Sequence, residues 1–501
     1  MTDTIASMLL AVAKEHGSRE ALVDGPRRLD YAAVSRRARA AAARLAALGV
    51  RPGDRVAVLL PNGWHHATGY LGIQLAGAIA VLVNTRFTTP EIEYVLRDSG
   101  ARYVLTDDDL AARLAPDSVA EPLRVAEIVA CTGAPPAPAT PPGVARRPGD
   151  VAHLLYTSGT TGRPKGAMQT HANLLFNAGT VRERLGAAPG ERTLIAAPMF
   201  HATGLVSLFV GFVSAGGCCV MTPSFHAATV LDLFVRERIT VFAGVAAMLR
   251  LLLMLDDVDS ADLSALRLFV MGGSPVPETF PAQVAERLPK LRLANVWGLT
   301  EATSIVTYVD GEEYTTRPWS VGRAVSGVEL GISIDGAPPR DLRGQVGELC
   351  VRGPVVAAGY WERPGATAKT FAGGWLRTGD VGSVDADGYV RVLDRLNDMI
   401  IRGGENIYSL EVESVIAEHP DVADIAVVGV PDPLFDERVR AIVVPRPGTS
   451  PTAEELRAYA AARLADYKIP AEFRFVTELP RNPAGKVLKR RLSEEPDAAT
   501  G

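Results

Sequence analysis

Short apolar runs alternating with helical patterns recur through the first half of this chain, and that alternation restricts the fold more than any other feature. Arg55 to Leu60 reads as a strand, Trp64 to Gly77 as a helix and Ala78 to Asn84 as another strand. Further strand candidates follow at Thr193 to Ala197, Cys218 to Thr222, Val241 to Gly244 and Leu266 to Met271. Repeated strand and helix of this kind predicts α/β layers with largely parallel sheets. At 501 residues the chain exceeds what one hydrophobic core organises, so more than one domain is expected, with interior enough to bury a pocket.

Two stretches punctuate the pattern. Ala134 to Arg147, APPAPATPPGVARR, has too few backbone donors for regular structure and reads as an exposed connection. After Asp380, GSVDADGYVRVLDR has the alternation and Asp-Gly turn of a hairpin, and it runs through Leu396 and Asn397 into an apolar strand at Met399 to Ile401. The boundary is therefore placed at Asp394 to Asn397, giving domains 1–394 and 395–501. Beyond it, Leu410 to Glu418 reads as helix, Val422 to Val430 and Val439 to Pro445 as strands, and Ala453 to Leu464 as helix. That pattern makes a small α+β unit with a frayed tail from Glu494 to Gly501.

The composition removes several function classes. Apolar residues make up 47% and charged residues 22%, as in an ordinary soluble protein. The formal charge is -5 and no long basic run could neutralise a phosphate backbone, so nucleic acid is not an expected partner. Cys131, Cys218, Cys219 and Cys350 have the spacing of neither a zinc site nor a disulfide framework, which fits a reducing cytoplasm. No charged-then-apolar leader is visible, and no run of about 18 apolar residues predicts a membrane span. Leu205 to Val220 comes nearest, and its glycines and serines favour a buried segment.

Chemistry first announces itself at Thr157 to Gly166, TSGTTGRPKG, which follows the mostly apolar run Ala152 to Tyr156. Glycines let the backbone approach an anion, N–H and hydroxyl groups donate to phosphate oxygens, and Lys165 adds a charge. The spacing is neither that of a Walker loop nor the G-x-G-x-x-G of a dinucleotide fold. It resembles the signature phosphate loop of the adenylate-forming enzymes: acyl-CoA synthetases, free-standing adenylation domains and firefly-type luciferases. Within that superfamily the chain looks closest to fatty-acid-type acyl-CoA ligases.

The resemblance covers nearly the whole chain, and it implies a large N-terminal domain of layered α/β sheets with a β-rich subdomain, plus a small mobile C-terminal α+β domain. By it, Thr157, Ser158, Gly159, Thr160, Thr161, Gly162 and Lys165 grip the polyphosphate of ATP. Asn295 to Glu301, NVWGLTE, is similar to the second signature. Asn295, Trp297 and Gly298 would bind the nucleotide, with Trp297 against the adenine; Thr300 would bond the α-phosphate, and Glu301 would hold Mg2+. Trp297 replaces the family's usual tyrosine, keeping a stacking face without the hydroxyl. Gly272, Gly273, Ser274 and Pro275 resemble the turn that passes the adenine and acyl group. Asp380 in WLRTGD would bind the ribose, with Arg395 as its companion on ribose or phosphate. Asp394 stands where the family usually has glycine, and Asn397 holds the hinge position usually taken by Asp or Lys. Lys486 in PRNPAGKVLKRRL resembles the C-terminal catalytic lysine.

For the thiol half-reaction the resemblance assigns Gly403 and Gly404 to the pantetheine tunnel, and Tyr467 and Lys468 to the CoA nucleotide. PMFHATG resembles the segment bordering the carboxylate, with His201 near the pocket entrance. Phe200, Val245, Met271, Gly272 and Leu299 would line the acyl pocket. Their apolar character favours a hydrophobic acid, each buried methylene contributing about 0.8 kcal/mol, and the resemblance implies an aliphatic, fatty one. The expected activity is an ATP- and Mg2+-dependent acid–thiol ligase that makes an acyl-adenylate and then a CoA thioester. Alternatives are a ligase loading the phosphopantetheine of an acyl carrier protein and a non-catalytic nucleotide-binding regulator. The chain is expected to act as a monomer or homodimer.

Overall fold

The computed structural model describes residues 3–129, 146–157, 163–403, 405–481 and 487–494. Ser158, Gly159, Thr160, Thr161 and Gly162 of the phosphate loop, Gly404, Lys486 and Cys131 lie outside the described residues, as do most of the proline-rich stretch and the tail from 495. Two units separate: Met1–Gly331 with Cys350–Thr378 and Asp387–Val390, and Ile332–Leu349 with Gly379–Ala386 and Arg391–Gly501.

Two sheets build the first unit. The six-stranded sheet runs, in spatial order, Glu121–Arg124, Tyr103–Thr106, Arg55–Leu59, Ile79–Leu82, Val151–Thr157 and Lys165–Thr170. All neighbours are parallel except the last pair, an antiparallel hairpin in which Thr157 faces Lys165 and His153 faces Gln169. The phosphate loop thus joins two strands of a hairpin. The nine-stranded sheet has a parallel centre of Arg292–Trp297, Leu268–Gly272, Val241–Gly244, Arg192–Ile195, Cys218–Met221 and Glu20–Asp24. Antiparallel strands close it at both edges.

The central strands are apolar without alternation. Ile79–Leu82, Cys218–Met221 and Val241–Gly244 are buried at every position, as strands covered on both faces must be. Phe242 makes edge-on contacts with Phe234 and Phe269 at centroid distances of 5.2 and 5.0 Å, at the centre of a core that also holds Leu194 and Met271. The apolar segment expected as buried becomes a π-helix, Thr203–Val210, continuing into the short helix Gly211–Ser214. Its first turn packs tightly on the preceding chain: a Cβ on Gly204 would stand 2.4 Å from the Pro198 carbonyl oxygen, so only glycine fits.

The second unit contains most of the hairpin expected after Asp380, with Gly382 so close to the neighbouring strand that a Cβ would meet the Arg391 carbonyl at 2.3 Å. Its C-terminal part pairs Val422–Asp432 with Asp436–Pro445 in antiparallel register, and Glu472–Phe475 adds parallel to Asp436–Pro445. Helices Ser409–Ala417 and Ala453–Ala461 contribute Val412, Ile416 and Leu456 to a core shared with Val427 and Val443. Arg440 is wholly buried in this unit and pairs with Glu472 at 2.8 Å.

Candidate active site

In a parallel sheet, ligands collect beyond the carboxyl ends of strands where the strand order reverses. In the nine-stranded sheet that reversal falls at Arg192–Ile195, which has Cys218–Met221 on one side and Val241–Gly244 on the other. With it, three further parallel strands make a run of four: Arg192–Ile195, Val241–Gly244, Leu268–Gly272 and Arg292–Trp297. The residues predicted for the acyl and adenine pockets follow their carboxyl ends in turn. Phe200 and His201 come after the first, Val245 after the second, Gly272 to Pro275 at the third, and Trp297 to Glu301 after the fourth. Residues far apart in sequence are gathered because successive crossovers return every strand in the same direction.

His201, Val245, Gly272 and Leu299 are half-buried, whereas Phe200 is buried with its ring 4.8 Å from that of His201. Met271 points into the core beside Phe242 and Phe269. Asn62, which the sequence reading passed over, fixes the Pro198–Met199 stretch. Its buried amide nitrogen donates to the carbonyls of Ile195, Ala197 and Thr222 at 3.3, 3.0 and 3.2 Å, and its oxygen accepts from Met199 N–H at 2.7 Å. Gly273 has φ +77 with no atom within 4 Å of where a Cβ would stand, so conformation and not space calls for glycine there, and the backbone stays open to a ligand. Ser274 and Pro275 are exposed beside it.

Trp297 is buried and ends its strand, and Asn295, two residues earlier, donates its side-chain amide to the Ser320 carbonyl at 3.1 Å. Gly298 then turns so tightly that a Cβ would lie 1.5 Å from the Ser304 carbonyl oxygen. The chain leaves the motif through two non-glycine residues at positive φ, Thr303 at 59° and Ser304 at 134°. The Thr303 hydroxyl holds that turn by donating to the Val355 carbonyl at 2.7 Å.

Glu301 has a partner that the sequence reading missed. The Tyr360 hydroxyl donates to its Oε1 at 2.8 Å, and the Lys165 ammonium lies 4.8 Å from the centre of the Tyr360 ring. Burial and the neighbouring Glu301 charge raise the Tyr360 phenol far above its usual range, so it remains a donor. Tyr360 is brought here because 358–361 runs beside Lys165–Thr170: Met168 N–H bonds the Gly359 carbonyl at 2.8 Å and Trp361 N–H bonds that of Gly166 at 2.8 Å. A contact between residues 59 positions apart leaves no short-range pattern. The phosphate-loop lysine, a buried phenol and the Glu301 carboxylate therefore form one cluster. Thr157 opens the loop, its hydroxyl 3.5 Å from the Lys165 carbonyl.

The second unit holds the remaining predicted residues. Asp380 is buried and pairs with Arg395 at 2.6 Å, so the two proposed ribose partners are joined to each other. Asp394 accepts from the Arg395 N–H at 2.7 Å and from the Ser409 N–H, which caps the helix Ser409–Ala417 and gives this departure from the family's glycine a structural task. Asn397 is exposed in the turn that follows. Gly403 has φ +57, and its N–H donates to the Phe435 carbonyl at 2.8 Å. Lys468 is engaged by both Glu411 oxygens at 2.7 and 2.8 Å, and the Tyr467 carbonyl accepts from Arg402 at 2.8 Å.

These groups fit the reactants the sequence implies. One hard carboxylate, Glu301, suits a Mg2+ ion that takes most of its other ligands from phosphates and water. Open backbone at Gly273 and a cation at Lys165 suit a nucleotide triphosphate. The AMP-binding enzyme family matches residues 9–361, and the AMP-binding enzyme C-terminal domain matches residues 411–486. A feruloyl-CoA synthase from Amycolatopsis sp is 41% identical over 466 residues, 92% of this chain and 92% of that protein. A long-chain-fatty-acid–CoA ligase of Mycobacterium tuberculosis is 34% identical over 485 residues, 93% of each. The structure of O-succinylbenzoate coenzyme A synthetase from Bacillus subtilis, in complex with ATP and magnesium ion, matches with TM-score 0.87 at 33% identity, covering 97% of this chain and 99% of that one. With strand-end geometry, signature residues and full-length similarity agreeing, the chain belongs to the adenylate-forming AMP-binding enzyme family and is an AMP-forming acid–thiol ligase.

Proposed function

We propose that this ligase joins a hydrophobic, aliphatic carboxylic acid to CoA through an acyl-adenylate. The observation that carries the reading is the gathering of Phe200, His201, Val245, Gly272, Leu299 and Glu301 beyond four neighbouring parallel strands, with Lys165 and Tyr360 beside Glu301. The acid's carboxylate oxygen attacks the α-phosphorus of ATP, the bond to the bridging oxygen breaks, and pyrophosphate leaves. The thiol sulfur of CoA then attacks the acyl carbon and loses its proton as AMP departs.

An anion attacking a phosphate needs positive charge between the reactants, and one well-placed donor is worth roughly 2.7 to 4 kcal/mol in such a step. Lys165 and the loop from Thr157 hold the polyphosphate, Thr300 donates to the α-phosphate, and Lys486 bridges carboxylate and phosphate. Glu301 would hold Mg2+, which when bound would supply charge that offsets that of the triphosphate. Asp380 and Arg395 hold the ribose. Residues 395–501 act as a mobile domain turning at Asn397, which withdraws Lys486 and brings Gly403, Gly404, Tyr467 and Lys468 to the thiol. The ligase works in the cytoplasm, where the buried thiols of Cys218 and Cys219 stay reduced.

A second reading, an aromatic acid, is favoured by the 41% identity to a feruloyl-CoA synthase. Acid-dependent pyrophosphate exchange against straight-chain acids of graded length and hydroxycinnamic acids decides between them. Exchange that rises with chain length supports the aliphatic reading, and exchange confined to aryl acids overturns it. CoA and a carrier protein bearing free phosphopantetheine are then offered in parallel, and thioester on the carrier alone would overturn the CoA assignment.

A further inference from the structure

The hairpin that carries the phosphate loop is tied to the Thr300–Glu301 turn by buried side chains that neither the signature motifs nor the pocket account for. The Tyr70 hydroxyl lies 3.2 Å from His153 Nδ1, His153 Nε2 lies 2.6 Å from Gln169 Oε1, and Gln169 Nε2 donates to the Thr300 carbonyl at 2.8 Å. Tyr70, His153 and Gln169 are each fully buried. Tyr70 comes from the helix Trp64–Leu75, and His153 and Gln169 are direct cross-strand partners in the hairpin Val151–Thr157 and Lys165–Thr170.

Chemistry fixes the direction of every bond in this chain. A carbonyl can only accept, so Gln169 must turn its nitrogen to Thr300 and its oxygen to His153. His153 therefore carries its proton on Nε2, and the lone pair left on Nδ1 accepts from the Tyr70 hydroxyl. Burial pushes the His153 imidazole down to about 4, which keeps the neutral tautomer that this order needs. The sequence of donors runs one way, from the helix through both strands to the catalytic turn. Three apolar side chains of similar volume would fill the same space without desolvating polar groups, so packing alone gives no reason for these residue types.

We propose that Tyr70, His153 and Gln169 form a positioning relay that holds the Thr300–Glu301 turn in register with the phosphate-loop hairpin. None of the three touches a reactant. Their action is through the backbone of Thr300, whose side chain and whose neighbour Glu301 meet the phosphates and the metal in the reading given above, on which this inference rests. Supporting groups around a metal ligand set its affinity, with typical losses of about 10- to 100-fold on removal.

The test uses the full-length protein and titrates ATP calorimetrically without acid, once with Mg2+ and once with EDTA, alongside melting temperature and pyrophosphate exchange. Gln169→Met and His153→Leu are expected to weaken Mg2+-dependent ATP binding about 10-fold, with a smaller loss of ATP binding in EDTA and the KM for the acid unchanged. His153→Gln, which can still present a donor to Gln169, should recover most of that loss, and Tyr70→Phe should show a smaller loss than His153→Leu. Wild-type Mg2+ dependence in Gln169→Met and His153→Leu, with only a lowered melting temperature, would overturn the relay. If those two fail to fold, Mg2+-dependent ATP binding by Tyr70→Phe equal to that of the wild type overturns it as well. Glu301→Gln is run beside them. If it binds MgATP like the wild type, the assignment of Glu301 itself fails, which separates that outcome from failure of the relay.

Discussion

Replacing Tyr360 by phenylalanine isolates what one hydroxyl does for Glu301. The ring stays, so its edge-on contact with Phe371 at 5.5 Å and its face toward the Lys165 ammonium at 4.8 Å are kept, while the 2.8 Å bond to Glu301 is lost together with a hydroxyl contact to Thr370. A buried hydrogen bond to a charged acceptor contributes about 1.5–3 kcal/mol, and each 1.4 kcal/mol is tenfold, so the loss corresponds to about 10- to 150-fold. Where the carboxylate is held for the metal, that loss should appear in kcat/KM for MgATP during pyrophosphate exchange, with the KM for the acid unchanged. Because the wild-type phenol stays protonated, the difference between the two proteins should not vary between about pH 7 and about pH 9. Combining Tyr360→Phe with Glu301→Gln should cost little more than Glu301→Gln alone, since both act on one group. Wild-type kinetics in Tyr360→Phe, or full additivity with Glu301→Gln, would refute the reasoning.

Gly298→Ala places a methyl group 1.5 Å from the Ser304 carbonyl oxygen, and because a backbone atom cannot step aside cheaply the cost should exceed the about 1–3 kcal/mol usual for overpacking; urea midpoints check it. His66, His153 and His171 are buried and each is held down to about 4, mainly by desolvation. The unfolded chain takes up protons near the usual histidine value of about 6.5 while the folded chain does not, so stability should fall as pH drops from about 6.5 toward about 4, by up to about 1.4 kcal/mol per pH unit for each histidine. Denaturant midpoints that stay flat or rise over that window would contradict this. Lys486→Ala should cripple adenylation while sparing thioester formation from supplied acyl-AMP, and equal loss in both steps, followed by single-turnover assays, would contradict the exchange of roles between half-reactions.

The amino-acid order alone determined the α/β class, because unbroken apolar runs such as Ile79–Leu82 and Val241–Gly244 are stable only inside covered parallel sheets. It also singled out TSGTTGRPKG, NVWGLTE and Asp380 as candidates for nucleotide chemistry, since a string of glycines, hydroxyls and charges in fixed order is local and can be read without knowledge of the fold. Helix and strand ends shifted by a residue or two, as for the strand expected from Leu266 that begins at Leu268, because ladder partners and not propensity set where pairing starts.

What only the tertiary structure decided were the contacts between distant elements. The pairing of Val151–Thr157 with Lys165–Thr170, the seat of Tyr360 on Glu301, the grip of Asn62 on Met199 and the Tyr70–His153–Gln169 chain all join residues from separate strands and helices. No periodicity encodes such pairs, because a side chain's partner across a sheet depends on strand order and register, which are settled by the burial of the whole core. Met271 shows the same limit from the other side: an apolar residue at a strand end could line a pocket or fill a core, and only the direction of its pleat, toward Phe242 and Phe269, places it.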